Sequence, residues 1–377
     1  MVDSQASSVA PDAQIFSEVT HEGPAGNRRT ERSFPCSSCG ADLVYQPGAA
    51  DLTCPYCRHR EVIPRDARTI REFALAEYVP PPKPVDSGRG LVQMACVACA
   101  AQVEVPPETA AKPCPYCGGT LLAKALTEAA AAAQAACEAI LPFKIPRQQA
   151  ELAVQRWVKS LWFAPSDLLR AVTMERFSSL YQPWWTFDSH TLSHYSGDAG
   201  YHYTVTVGEG KNRRTETRTR WESRDGVHEE FIDDQPVPAG EFREWRDGFD
   251  FKQLVPYDQS FLAGHSATTA TRDPQRGWQD AKQRIDQRMY EACRREIGGD
   301  TQRNVEVVTA HRAVTYKLIM LPRWQGGFRY RGRAFVIAVN GQTGGVVGDR
   351  PWSAIKITLA VIAGLVVAGG VFYLFNK

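Results

Sequence analysis

The chain has almost no surplus of charge: 44 Lys and Arg stand against 42 Asp and Glu, a formal net charge of +2. Without a global basic field there is no general attraction for nucleic acid. The short motifs of common chemistry are missing too. The sequence contains no GxxxxGK(S/T) phosphate loop, no HExxH, no GxSxG and no dinucleotide glycine fingerprint. Gly341-Gln-Thr-Gly-Gly345 lacks the lysine and reads as a hairpin turn. The first thirty residues hold no apolar core with a cleavage site, so no signal peptide is expected. Polar residues broken by Pro and Gly make 1–32 read as a disordered tail. Cysteine is scarce outside two clusters. Eight of the ten lie in them, while Cys137 and Cys293 fall in helical-looking stretches and read as buried thiols.

The clusters dominate the chain. Cys36-Ser-Ser-Cys39 is followed by Cys54-Pro-Tyr-Cys57, and Cys96-Val-Ala-Cys99 by Cys114-Pro-Tyr-Cys117. In both, 14 residues separate the CxxC pairs, and the second set repeats the first at an offset of 60. Two residues between cysteines let one tight turn aim both sulfurs at a single ion, and two such turns complete a tetrahedron. Two structural zinc ions, held by Cys36, Cys39, Cys54, Cys57 and by Cys96, Cys99, Cys114, Cys117, are therefore expected. Disulfides, a redox pair or iron are the competing readings. Gly40 and Gly118 follow their knuckles, where positive φ is often needed. Arg58 and Ala100 take the equivalent places, and strain or a different turn is expected there.

The expected order is zinc ribbon one at 33–66, a Pro-rich linker at 67–90, zinc ribbon two at 91–123 and an Ala-rich helix over Leu126–Ile140. An α+β domain with a mainly antiparallel sheet follows, 142–350. Within it, Arg147–Phe163 has helical periodicity. The β-branched and aromatic run after about 170 reads as strands, with a hairpin tip at 208–214 and a return strand reaching Trp221. Asp273-Pro274 opens a helix that Gly298-Gly299 stops. Two long strands close the domain, Asn304–Pro322 and Arg329–Val339, the latter turning back at Asn340-Gly341.

From Ile357 to Phe375 there are 19 residues without a charge. About 20 apolar residues cross a bilayer as a helix. A single C-terminal transmembrane anchor at 355–375 is expected, with Arg350 and Lys356 on its upstream flank keeping the larger part cytoplasmic. Ala360, Gly364 and Ala368 form a small-residue stripe suited to pairing with another membrane helix.

The whole chain resembles bacterial membrane-anchored zinc-ribbon proteins, often labelled "primosomal protein N-prime (replication factor Y)-like" or "transcription-factor-IIB-type zinc-ribbon" proteins. The stretches that carry the resemblance are the CPYC knuckles, Leu141-Pro-Phe-Lys144, Tyr181-Gln-Pro-Trp-Trp-Thr-Phe-Asp188, Leu254-Val-Pro-Tyr-Asp258 with Leu262-Ala-Gly264, Val339-Asn-Gly-Gln-Thr-Gly344 and Gly348-Asp-Arg-Pro351. It implies recruitment of phage-shock-protein-A-like, ESCRT-III-like envelope-stress proteins to a membrane. No helicase core accompanies the label, so helicase activity is not implied.

The expected function is a non-enzymatic, tail-anchored adaptor at the inner cell membrane, with cytosolic or membrane proteins as partners. Nucleic-acid binding through ribbon one and the basic run Lys211, Arg213, Arg214, Arg218 and Arg220 is the second reading. An enzyme is the third. Alternation along a strand puts Asp188, His190 and His194 on one face, with His202 on a neighbouring strand, where they would hold a metal or exchange protons.

Overall fold

The computed structural model describes residues 34–63, 68–79, 92–95, 102–105, 109–113, 120–122, 137–172, 177–210, 213–240, 242, 244 and 248–375. Its strands are β1 (Val44–Tyr45), β2 (Asp51–Thr53), β3 (Arg60–Val62), β4 (Phe73–Ala74), β5 (Val92–Ala95), β6 (Gln102–Val105), β7 (Thr109–Pro113), β8 (Thr120–Leu122) and β9 (Cys137–Ile140). Then come β10 (Ser178–Val207), β11 (Arg214–Pro238), β12 (Val255–Pro256), β13 (Ser266–Thr268), β14 (Thr301–Tyr330), β15 (Arg333–Asn340) and β16 (Val346–Gly348). The helices are α1 (Arg147–Ser160), α2 (Leu168–Ala171), α3 (Pro274–Ile297) and α4 (Ala354–Phe375). The class is α+β, with a mixed but mostly antiparallel sheet and one apolar C-terminal helix.

A long ribbon forms the frame. β10 lies between β11 and β14, antiparallel to both. At about 3.4 Å per residue its 30 residues span about 100 Å. The root, Tyr181 to Ser189, is buried throughout. Aromatic side chains there go both ways, Trp185 and Phe187 into one cluster and Trp184 into another. Covered on both faces, this stretch buries its polar residues as well: Gln182, Thr186, Asp188 and Ser189. β11 and β14 are both bulged opposite Asp188, with Asp234 at φ 52° and Ala313 at φ 49°. The return strand thus runs on to Pro238, well past Trp221, and β14 continues to Tyr330.

α3 lies along one face of the ribbon. Asp273 caps it, its carboxylate accepting from the Arg276 amide at 2.7 Å. Its buried stripe includes Ala281, Ile285, Met289 and Cys293. Gly277 brings the first turn against Trp185 and Phe187, where a Cβ would meet Trp185 Cδ1 at 2.9 Å. Ile297, at the other end, packs beside Gly197.

Segments ahead of residue 142 also join the main sheet, so the body does not begin there. β4 pairs with β14 at Thr315 and Tyr316, and β9 runs parallel to β14. β7 pairs with β13, drawing the β7–β8 hairpin of the expected second ribbon into the same sheet, whereas β5 and β6 pair only with each other among the described residues. The start of the expected 67–90 linker is therefore not a free spacer. Phe73, Leu75 and Tyr78 pack on the cluster around Trp185, and Arg68 donates to the Tyr257 carbonyl at 3.0 Å. The Ala-rich helix expected over 126–140 is corrected at its end: Cys137–Ile140 is a strand between β12 and β14, where sheet pairing outweighs helix propensity. Residues 126–136, the tail and Pro80–Pro84 lie outside the described residues.

Candidate metal centre

β1, β2 and β3 form a three-stranded antiparallel sheet, and the cysteines lie on its knuckles. Cys36 Sγ is 3.6 Å from Cys57 Sγ, and Cys39 Sγ is 3.5 Å from Cys54 Sγ. All four sulfurs lie within 4.8 Å of one another. A tetrahedral ion bound at about 2.3 Å spaces its sulfurs about 3.8 Å apart, so this quartet fits a metal ion.

Each knuckle closes by backbone bonds. The Gly40 amide donates to the Cys36 carbonyl at 2.8 Å, and the Arg58 amide to the Cys54 carbonyl at 3.0 Å. Gly40 takes φ 70° freely; Arg58 takes φ 62° against its Cβ, the strain expected at that position. The Ser37 amide donates to Glu61 at 2.7 Å, which lowers that carboxyl and ties one knuckle to β3. Amides of Cys57 and Tyr56 aimed at Cys54 lower its thiol to about 6. The Ala41 amide favours the Cys39 thiolate, but the crowding sulfurs of Cys57 and Cys54 outweigh it and push the thiol up to about 12. Four sulfurs this close cannot all ionise unless a cation balances them.

The module's inner side is part of the body's core. Cys36, Leu43, Tyr45, Leu52, Cys54 and Ile63 belong to the same buried cluster as Phe143, Tyr181, Leu262 and Trp324. The Tyr45 amide donates to the Ala263 carbonyl at 3.0 Å, and its hydroxyl donates to the Phe143 carbonyl at 3.2 Å. His265, 4% exposed, sits at this junction. It stacks on Phe143 at 4.8 Å, and its Nε2–H donates to the Tyr45 carbonyl at 3.2 Å, which leaves Nδ1 to accept from the Ser179 hydroxyl at 2.7 Å. Burial lowers His265 to about 4 and raises Tyr45 to about 12.

The second quartet, Cys96, Cys99, Cys114 and Cys117, lies outside the described residues, as do Ala100 and Gly118. Cys137 sits on β9 and Cys293 on α3, and burial raises both thiols.

Asp188, His190 and His194 do not form one site. Asp188 is buried and groups with Asp233 and Asp234, whereas both histidines are exposed further along β10. The bulges explain the grouping, since they bring the Asp234 amide to Asp188 Oδ1 at 2.7 Å. Lys317, buried among these acids, already supplies the cation: its ammonium lies 2.7 Å from both Glu72 and Asp234. Burial raises Asp188 to about 7, and its hydrogen bond to Glu72 adds to the rise while lowering Glu72 to about 2. The cluster ties the 68–79 segment to the ribbon. His202 lies on β10 itself rather than on a neighbouring strand, and is exposed, with Nδ1 3.0 Å from Thr219 Oγ1.

One arrangement was not legible in the sequence. Ser189 Oγ is 3.3 Å from His311 Nδ1, and His311 Nε2 is 2.9 Å from Asp286 Oδ1. The three residues stand on β10, β14 and α3. Ser189 has 0% exposure, and the relay pins the helix to the sheet.

Two carboxylates each bridge a pair of arginines on the basic hairpin, which leaves it a surplus of positive charge. Arg214 and Arg218 flank Glu216 at 2.7 and 3.6 Å, and Arg220 and Arg224 flank Glu222 at 2.9 and 3.1 Å. No residue of α4, with a mean hydropathy of 2.3, is buried among the described residues, and space beside Gly364 is open.

No family model matches the chain, and no solved structure matches it. It is similar to the Bacillus subtilis (strain 168) protein named "Uncharacterized protein YdjG", 27% identical over 239 residues that cover 62% of this chain and 68% of that protein.

Proposed function

We propose that this protein is a non-enzymatic, tail-anchored adaptor at the cytoplasmic face of the cell membrane. α4 crosses the bilayer, and two structural zinc ions, one per cysteine quartet, brace the part that meets cytosolic or membrane proteins. The observation that carries the reading is the apolar length of α4, in which no residue is buried. Four thiolates within 4.8 Å of one another support zinc in a structural role, a set that would also take iron and that leaves no open position for catalysis. The ion pairs of the 214–224 strand offset two of its four arginine charges, so this hairpin is where the nucleic-acid alternative would act. Following the resemblance, phage-shock-protein-A-like, ESCRT-III-like proteins are the partners to look for first.

The test is a native pull-down of the full chain from solubilised membranes, with and without nuclease, read by mass spectrometry. Nuclease-resistant recovery of a few membrane or membrane-remodelling proteins is expected. Recovery that collapses with nuclease moves the assignment to nucleic-acid binding.

A further inference from the structure

We infer that the loop between α1 and α2, carrying Trp162, is a second membrane contact, seated in the phospholipid headgroup layer of the bilayer that α4 crosses. The inference rests on the membrane reading of α4 and adds to it a fixed posture for the body.

The loop is bonded to the first turn of the anchor. The Ser353 amide donates to the Phe163 carbonyl at 2.8 Å. Lys356 Nζ donates to the Ala164 carbonyl at 2.8 Å and to the Trp162 carbonyl at 3.3 Å. The Phe163 and Trp352 rings lie 6.5 Å apart. These bonds place the loop at the level of Lys356.

The depth of that level follows from length. The uncharged run Ile357–Phe375 has 19 residues. At 1.5 Å per residue it spans about 28 Å, against about 30 Å of hydrocarbon. No slack remains, so Lys356 stands at the hydrocarbon boundary and the loop stands with it. At this level the surface is aromatic and bare: Trp162 is 80% exposed, Trp352 57% and Ile355 74%. Indole rings have an apolar body and a polar N–H, and they favour the layer between hydrocarbon and water. The Lys356 ammonium is occupied by carbonyls, whereas Arg350, its guanidinium 4.3 Å over the Trp352 ring, presents charge to lipid phosphates.

The full chain is reconstituted into phosphatidylcholine–phosphatidylglycerol vesicles whose lipids carry bromine on the upper acyl chain. Tryptophan emission is compared for the native protein, Trp162→Phe, Trp352→Phe and the double variant. Both side chains are exposed, so the fold should survive their replacement. Bromine-dependent quenching is expected in the native protein, reduced in each single variant and lost in the double. Equal quenching in all four, with the chain still resisting alkaline extraction, overturns the loop contact and leaves the anchor standing. Release of the native chain by alkaline extraction overturns the anchor, and the loop contact with it.

Discussion

The Cys36–Cys57 module and α4 each carry apolar side chains that so small an element cannot bury by itself, and they meet opposite fates. The module turns Leu43, Tyr45 and Leu52 into the core it shares with Phe143 and Tyr181. No residue of α4 is buried among the described residues, and its start is fastened to the body through Ser353 and Lys356. A module absorbed into a core cannot swing out to capture a partner, so a metal bound there would serve the architecture. A helix held at its base and bare along its length fits another solvent. The chief departure from expectation lies here: a ribbon expected as a separate unit is a wall of the body.

The largest effect that would break this contrast comes from the metal. Cys54→Ala should cost the quartet its ion, lower the metal content by one per chain and open 34–63 to protease first. Structural zinc contributes about 10–16 kcal/mol in small metal-folded peptides, so no packing change should match it. Next is the junction. Phe143→Ala removes the ring that stacks on His265 and meets Trp324, and should destabilise the protein by about 3–5 kcal/mol in denaturant titration. Loss of amide protection at Tyr45 ahead of the ribbon root would show that the module detaches there.

His265 makes the junction pH-dependent. Its pKa is lowered from 6.5 to about 4, so the folded state holds the neutral ring while the unfolded chain takes up the proton first. The stabilisation is complete above pH 6.5 and is lost as pH falls towards 4, by about 3 kcal/mol. Acid release of metal adds its own slope, so the comparison is with His265→Gln, whose stability should fall less over that window. The smallest effect is expected at the hairpin. Arg220→Ala breaks an exposed ion pair with Glu222 and should change stability by less than about 1 kcal/mol.

Local signals were legible wherever residues close in sequence do the work. CxxC spacing gave the first knuckles, Asp273-Pro274 and Gly298 the ends of α3, and the uncharged run α4. What escaped was set by partners distant in sequence. Alternation along the β10 root reads as one exposed polar face, yet Gln182, Thr186 and Asp188 are buried, and the bulges at Asp234 and Ala313 answer to strands on either side of Asp188. Alternation did place Asp188, His190 and His194 on one strand face. It gave no hint that the arm carrying Glu72 would cover Asp188 and leave both histidines in solvent. Cys137 was misread for the same reason, since composition favours a helix and β14 supplies a ladder.

The most direct test compares the full chain with a version ending at Ser353, both expressed in cells and fractionated after an alkaline wash. The full chain is expected in the membrane pellet and the shortened chain in the supernatant. A full chain that washes off, or a shortened chain that stays behind, would contradict it.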